Sequence, residues 1–293
     1  MFVKLIPAVK NYIWGGTTLN AWGKKSNGNI AETWELSFHP DGLSRVAPDG
    51  TKALAEIVSA DDLGVNCAKF NSFPVLVKYI DAMRDLSVQV HPDDQYAMRV
   101  YGQQGKTEMW YILDSKPYGG VYLGTKEIMS ASQFRQAVEE DSVIDKLKFF
   151  PVKRGDCIYI PAGTVHAIGK GVTLCEIQQN SNLTFRMYDY KRTDADGKPR
   201  ELHLEDALKV ARLTPCEMPF VVKLPFACKY FSLNVHNKSE IIGNADSFVC
   251  VTVTKGCFTA GGLQLGLGDT AFLSAGEKVF MEGEGEYMTV WTD

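Results

Sequence analysis

The sequence predicts a mainly β protein made of two β-barrel modules with a small helical insertion. Short runs rich in β-branched and aromatic residues follow one another along the chain, among them "FPVLVKYI", "LSVQVH", "EMWYILD", "VTLCEIQQ" and "FVCVTVTKG". Gly, Pro, Asn and Asp punctuate them at short intervals, which suits antiparallel barrels better than a parallel α/β sheet. The chain also echoes itself. "GDCIYIPAGTVHAIGKG" at 155–171 and "GDTAFLSAGEKVFMEGEG" at 268–285 share Gly-Asp, a short strand, x-Ala-Gly, two residues, and a bulky position. Where the first copy has Pro161 and His166, the second has Ser274 and Val279.

The echo implies a duplicated β unit whose second copy has lost its histidine. The two prolines of "LTPCEMP" break the chain near 213–220, which divides it into modules 1–215 and 216–293. Helical patterns are few. "SASQFRQAVEEDSVIDKLKFF" opens on a capping serine and reads as one or two helices within an insertion near 126–150. "LHLEDALKVARL" places its apolar residues on one stripe and predicts another helix.

With 293 residues the chain can bury a substantial core, and 45% hydrophobic with 23% charged residues is ordinary for a globular protein. No apolar run is long enough to cross a bilayer, and the N-terminal segment lacks the pattern of a signal peptide. A cytoplasmic location is therefore expected, with no membrane partner. Seven cysteines without a C-x-x-C pair read as buried thiols in a reducing compartment. A net charge of -4 argues against nucleic acid as a partner. A small anionic substrate is compatible with that charge if the fold supplies a local basic pocket.

His166 invites a search for partners. Gln89 and His91 lie two residues apart in "SVQVHPDD", and side chains at i and i+2 of a strand project from one face. Lys106 and Glu108 in "GKTEMWYIL" have the same relation. His91, Glu108 and His166, with Gln89 as a neutral oxygen donor, make a nitrogen–oxygen set suited to zinc or another first-row divalent ion. The lack of thiolate argues against a purely structural zinc cage. His39, His203 and His236 lack such company and read as structural or surface residues.

These segments resemble the two cupin motifs, with Gln89 in place of the usual first histidine. More specifically, "WGG", "AETWELS", "LSVQVHPDD", "GKTEMWYIL", "PAGTVHAIGKG" and "FRMYDY" resemble type I mannose-6-phosphate isomerases in their short bacterial form. The likeness spans most of residues 10–192. It implies two jelly-roll modules, one zinc ion per chain, and interconversion of mannose 6-phosphate and fructose 6-phosphate through an enediol. By position it implies Gln89, His91, Glu108 and His166 as metal ligands and Arg186 as the active-site arginine. Lys106 and Glu176 match further polar positions of the active site, and Lys78 and Ser87 fall where the family is thought to hold substrate phosphate. Either Lys106 or Glu176 can serve as the proton-transfer base. A non-catalytic sugar-phosphate-binding cupin and an iron dioxygenase on the same barrel are the competing readings. The first would follow from loss of the ligand set, the second from a histidine-rich facial triad without phosphate-binding lysines.

Overall fold

The computed structural model describes residues 1–193, 197–216 and 221–293. The segment 217–220, inside the proposed module boundary, lies outside the described residues. Strands dominate and form three antiparallel sheets, as the sequence predicts. A six-stranded sheet runs Cys157–Ile160, Glu108–Ser115, Val172–Gln179, Val75–Ala82, Glu32–Leu36 and Ala8–Lys10. A five-stranded sheet runs Phe185–Tyr188, Val88–Val90, His166–Ile168, Gly120–Thr125 and Leu147–Pro151. The nine-stranded sheet is built from strands between 226 and 291, together with Phe2–Ile6 and Arg45–Val46.

The six-stranded sheet lies in the middle, and its alternation shows why. In Val75–Ala82, Glu108–Ser115 and Val172–Gln179, one parity places Val77, Tyr79, Met109, Tyr111, Cys175 and Ile177 in a core. Phe248, Cys250, Phe272 and Met288 of the nine-stranded sheet fill the other side of that core. The opposite parity turns Ile80, Trp110, Ile112 and Leu174 toward Val121, Leu123 and Ile168 of the five-stranded sheet. A sheet covered on both faces reads as a nearly continuous hydrophobic run, which is how "FPVLVKYI" reads. Polar residues of that second parity are carried inside with it.

Large apolar side chains buried this way contribute about 1.5–3 kcal/mol each. Polar ties reinforce the central junction. The Tyr79 hydroxyl donates to the Val253 carbonyl at 3.1 Å, and Arg154 reaches the Thr254 carbonyl at 3.1 Å. The N-terminal strand pairs with Thr270–Leu273, so a single cut at 215 does not separate the sheets.

The insertion contains two helices, Ala131–Glu139 and Val143–Lys146. Ser130 caps the first by accepting from the Gln133 N–H at 3.2 Å. Phe134, Ala137 and Val143 pack with Ala207 of the helix Leu204–Val210 against Val88, Val90, Ala167, Phe185 and Met187. Those strand residues have the opposite parity to Gln89, His166 and Arg186. The helices therefore back the five-stranded sheet and leave its other face to the six-stranded sheet. Among the described residues no helix is long and apolar enough to cross a membrane.

The internal echo has the same local geometry twice. Gly155 and Gly268 have φ of 88° and 85°, and Gly163 and Gly276 have φ of 86° and 78°. Such left-handed values suit glycine because it has no Cβ to clash. Asp156 accepts from the Lys153 N–H at 2.9 Å, and Asp269 from the Gly266 N–H at 2.8 Å. The copies differ in what they enclose. Val279 begins its strand among Ile242, Val251, Leu265 and Met281, an apolar cluster, while the one His/Cys/Asp/Glu group suited to a metal among the described residues lies in the first copy.

Burial of the cysteines has a chemical consequence. It pushes the Cys157 and Cys250 thiols up to about 12 and Cys175 well above its ordinary value. The thiolate is the reactive form, so all three should resist thiol reagents at pH 8 until denaturant is added. Exposed Cys257 should label in the native protein. Mass-spectrometric mapping of the labelled positions checks this, and rapid native labelling of Cys250 would contradict the packing described.

Candidate active site between the two smaller sheets

The site lies where the inner faces of the five- and six-stranded sheets meet. On the five-stranded sheet, Arg186 pairs with Gln89 and Gln89 with His166, so the three share one cross-strand row. His91 follows Gln89 by two residues and keeps its face. The corner after Ile160 holds this arrangement, because the Gly163 N–H donates to the His91 carbonyl at 2.8 Å. A Cβ on Gly163 would meet the Val210 carbonyl oxygen at 3.0 Å. The Pro-Ala-Gly turn thus fixes His166 on the following strand and pins His91 across from it.

On the six-stranded sheet, Trp34 pairs with Lys78, Lys78 with Glu176, and Glu176 with Trp110. Glu32 and Glu108 lie two residues from Trp34 and Trp110 on the same face. All the carboxylates and lysines of this surface are nearly or fully buried.

His91, Glu108 and His166 bring one donor atom each within 4.8 Å of one another. His166 Nδ1 bonds the Thr164 carbonyl at 2.8 Å, and His91 Nδ1 bonds the Leu183 carbonyl at 3.1 Å. A carbonyl only accepts, so each Nδ1 carries the proton and each Nε2 presents a lone pair. Those lone pairs face the Glu108 carboxylate, at 3.4 Å for His91 and 3.2 Å for His166, and the His91 lone pair also accepts from Lys106 Nζ at 3.1 Å. Neither Glu108 oxygen accepts a hydrogen bond, although Lys106 Nζ lies 3.1 Å from Oε2. Acceptors facing acceptors in a buried space suit a bound cation, and main-chain carbonyls on the far ring nitrogens are the usual support of metal-ligating histidines. The Gln89 amide lies 3.2 Å from His166 Nε2, and half a turn about its terminal bond brings its oxygen to the same point.

The electrostatics keep this donor set deprotonated. Burial, followed by the charge of Lys106, pushes His91 down to about 3. Burial likewise lowers His166. For Glu108, burial favours the neutral acid, but Lys106, His91 and His166 together outweigh it and hold the carboxyl well below its ordinary range.

From Glu108 a chain of alternating charges runs across the sheet. Lys106 Nζ lies 3.1 Å from Glu108 Oε2 and 3.7 Å from Glu176 Oε1. Lys78 Nζ lies 3.0 Å from Glu176 Oε1 and 3.3 Å from Glu32 Oε2. Burial opposes the Lys78 charge, but Glu176, Glu32 and Glu108 overcome it and keep the lysine protonated. An indole N–H holds each flanking carboxylate, Trp34 on Glu32 and Trp110 on Glu176, both at 2.8 Å. Two lysines against three carboxylates leave the cluster with one negative charge in excess, a further feature suited to a cation.

The residues singled out in the sequence are thus largely brought together. Lys106, Glu176 and Lys78 join the donor set in one buried cluster, and Arg186 stands beside Gln89. Ser87 is buried just before its strand, and among the described residues it makes no hydrogen bond with Lys78.

Sequence reasoning missed Glu32, Trp34 and Trp110, although "ETW" carries the same i, i+2 signal that picked out Gln89 and His91. It also passed over His203. Its Nδ1 accepts from the Arg186 N–H at 3.2 Å, and its own N–H donates to the Arg186 carbonyl at 2.7 Å. His203 therefore braces the strand that carries the arginine.

Glu32→Gln would keep the shape of the chain's outer end but remove one partner of a buried ion pair. Such a change should cost about 3 kcal/mol, since it leaves Lys78 under-compensated. Denaturant titration of the variant measures this, and a loss below about 0.5 kcal/mol would show the pair to be dispensable.

Comparison with known proteins gives this geometry its context. The phosphomannose isomerase type I catalytic domain model matches residues 2–117. The mannose-6-phosphate isomerase ManA of Bacillus subtilis is 42% identical over 212 residues, which are 70% of this chain and 66% of that protein. The putative mannose-6-phosphate isomerase YvyI of the same organism is 33% identical over 267 residues, covering 85% of this chain and 84% of its own. The crystal structure of the mannose 6-phosphate isomerase from Bacillus subtilis superposes with a TM-score of 0.84 at 30% identity, covering 99% of both chains. Extended likeness in both sequence and fold places this chain in the type I phosphomannose isomerase family.

Proposed function

We propose that this protein interconverts mannose 6-phosphate and fructose 6-phosphate, with zinc held by Gln89, His91, Glu108 and His166. The observation that carries the proposal is the buried Glu108 carboxylate facing two imidazole lone pairs, with an ordered chain of lysines and carboxylates leading away from it. The relatives bearing the isomerase name support the same reaction. Residues 1–215 supply the metal-binding module on this reading, apart from the strands Phe2–Ile6 and Arg45–Val46 that complete the sheet of 216–293, a companion that keeps the β architecture without the ligands.

Bound there, zinc would serve as a Lewis acid toward the oxygens on C1 and C2 of the open-chain sugar. Two neutral imidazoles, one amide and one carboxylate would leave the centre a net charge of about +1, which suits an anionic transition state. The protein supplies the remaining chemistry. A proton must leave C2 and return to C1 through an enediol, which calls for a group that accepts and donates from a fixed position. Lys106 and Glu176 form that pair, 3.7 Å apart beside the ligands. Trp110 and Lys78 orient Glu176, while Glu108 and His91 orient Lys106. Arg186, in the row of Gln89 and His166, places a cation next to the developing negative charge. The sandwich of two sheets keeps bulk water from this surface and strengthens each interaction.

A coupled assay on mannose 6-phosphate should show turnover that a chelator abolishes and added zinc restores. His166→Ala should lose both bound metal and activity. Absence of turnover in the zinc-loaded protein would refute the isomerase reading, and full activity in His166→Ala would refute the ligand assignment.

Glu176→Gln and Lys106→Met should each lower kcat by about 10²–10⁴-fold. Exchange of the C2 hydrogen with solvent then separates the two roles. The variant that abolishes exchange has lost the base, and the variant that slows turnover while retaining exchange has lost an orienting group. Unchanged kcat in both variants would remove the pair from the mechanism.

A further inference from the structure

We propose that Arg192 and Arg200, continuing outward from Arg186, seat the phosphate of the substrate, and that Lys78 does not. The inference rests on the sugar-phosphate reading above and concerns which cations receive the anionic end. Three guanidiniums gather here. Asp189, nearly buried, is bonded by Arg192 and also by Arg200, whose Nη1 lies 3.1 Å from Oδ2. Arg186 belongs to the same group, since its guanidinium is lowered first by burial and next by the nearby charge of Arg200. Glu201 gives Arg186 its main-chain carbonyl at 2.7 Å, while its side chain adds a second negative charge at the exposed edge.

Cations therefore outnumber carboxylates at this spot, in a chain whose net charge is -4. It is the local basic pocket that an anionic substrate needs in an acidic protein. The group is also built and reachable. Arg192 is anchored by the Asp189 and Asp85 carbonyls, at 3.2 and 2.6 Å, yet the side chains of Arg192 and Arg200 remain 16% and 17% exposed. Arg186 Nε is buried without a hydrogen-bond partner. Guanidinium forks match phosphate oxygens two at a time, which a lysine does not.

Position supports the same conclusion. Gln89 and Arg186 are directly paired neighbours on adjacent strands, about 4.8 Å apart across the sheet. Arg192 and Arg200 meet at Asp189, three residues past Arg186 along the chain from the row that carries Gln89 and His166. A hexose with C1 and C2 at the donor set has four carbon–carbon bonds between C2 and C6, enough to carry its phosphate past Arg186. Lys78 has the opposite surroundings. It is buried between Glu176 and Glu32 at 3.0 and 3.3 Å, so a phosphate brought to it would meet two carboxylates.

The test is calorimetric titration of the zinc-loaded protein with inorganic phosphate. Arg200→Gln should weaken phosphate binding at least tenfold with zinc content unchanged, and Arg200→Lys should recover part of the loss. In the isomerase assay Arg200→Gln should raise KM for mannose 6-phosphate far more than it lowers kcat. Arg192→Gln should act in the same direction, and Arg200→Gln carries the test alone if loss of the Arg192 anchors prevents folding. Wild-type phosphate affinity in Arg200→Gln, or a loss confined to Lys78→Gln, overturns the assignment. Because binding is read without turnover, a failure here is distinct from a failure of the isomerase reading, which wild-type activity measures separately.

Discussion

The Glu108 carboxylate is the constraint around which the rest of this structure is arranged. It is fully buried, accepts no hydrogen bond, and faces the lone pairs of His91 and His166. An uncompensated buried charge is among the most costly features a fold can contain. The surroundings answer it in two ways. Lys106 offsets the charge directly, and the two imidazoles join the carboxylate in a group that could hold a metal ion. Removing either answer leaves the other working against a low-dielectric interior.

The sheet architecture follows from that need. A surface of this kind needs a fixed partner for each charge it takes out of water, and a closed interior that strengthens those pairings. The six-stranded sheet meets both demands because one of its faces is sealed by the nine-stranded sheet. Its other face can then carry lysines, carboxylates and indoles in register, closed over by the five-stranded sheet. The indole N–H of Trp110 ties down one oxygen of Glu176 and leaves the other to Lys78, whereas on Glu32 the Trp34 indole and Lys78 share a single oxygen. The second copy of the repeated unit shows the same corner without this load. Its interior is apolar, and Val279 stands where the first copy has His166.

The site holds two groups of largely buried charge of opposite balance. The inner cluster has an excess of carboxylate and suits a cation, whereas the outer group around Asp189 has an excess of guanidinium and suits an anion. On the proposed reading, a sugar phosphate, neutral at the end that reacts and negative at the end that anchors, finds one region suited to each end. The helical insertion takes no part in this division, because it packs on the reverse face of the five-stranded sheet.

Much of the site was legible in the sequence because strands alternate. The i, i+2 spacing of Gln89 with His91 and of Lys106 with Glu108 put each pair on one face, and the Gly-Asp and Ala-Gly corners marked where His166 begins its strand. The mainly β class and the duplicated unit came from the same local regularities. What the linear chain did not contain was pairing between strands far apart in sequence. Only that register lines up Trp34, Lys78, Glu176 and Trp110, which turns Glu32 from one more strand carboxylate into the end of a buried charge chain. Likewise, Arg192 and Arg200 read as loop charges until the fold brings them to Asp189 beside Arg186. Local pattern determined which face each side chain takes, and tertiary pairing decided which charges meet, because an ion pair depends on distance in space and not on separation along the chain.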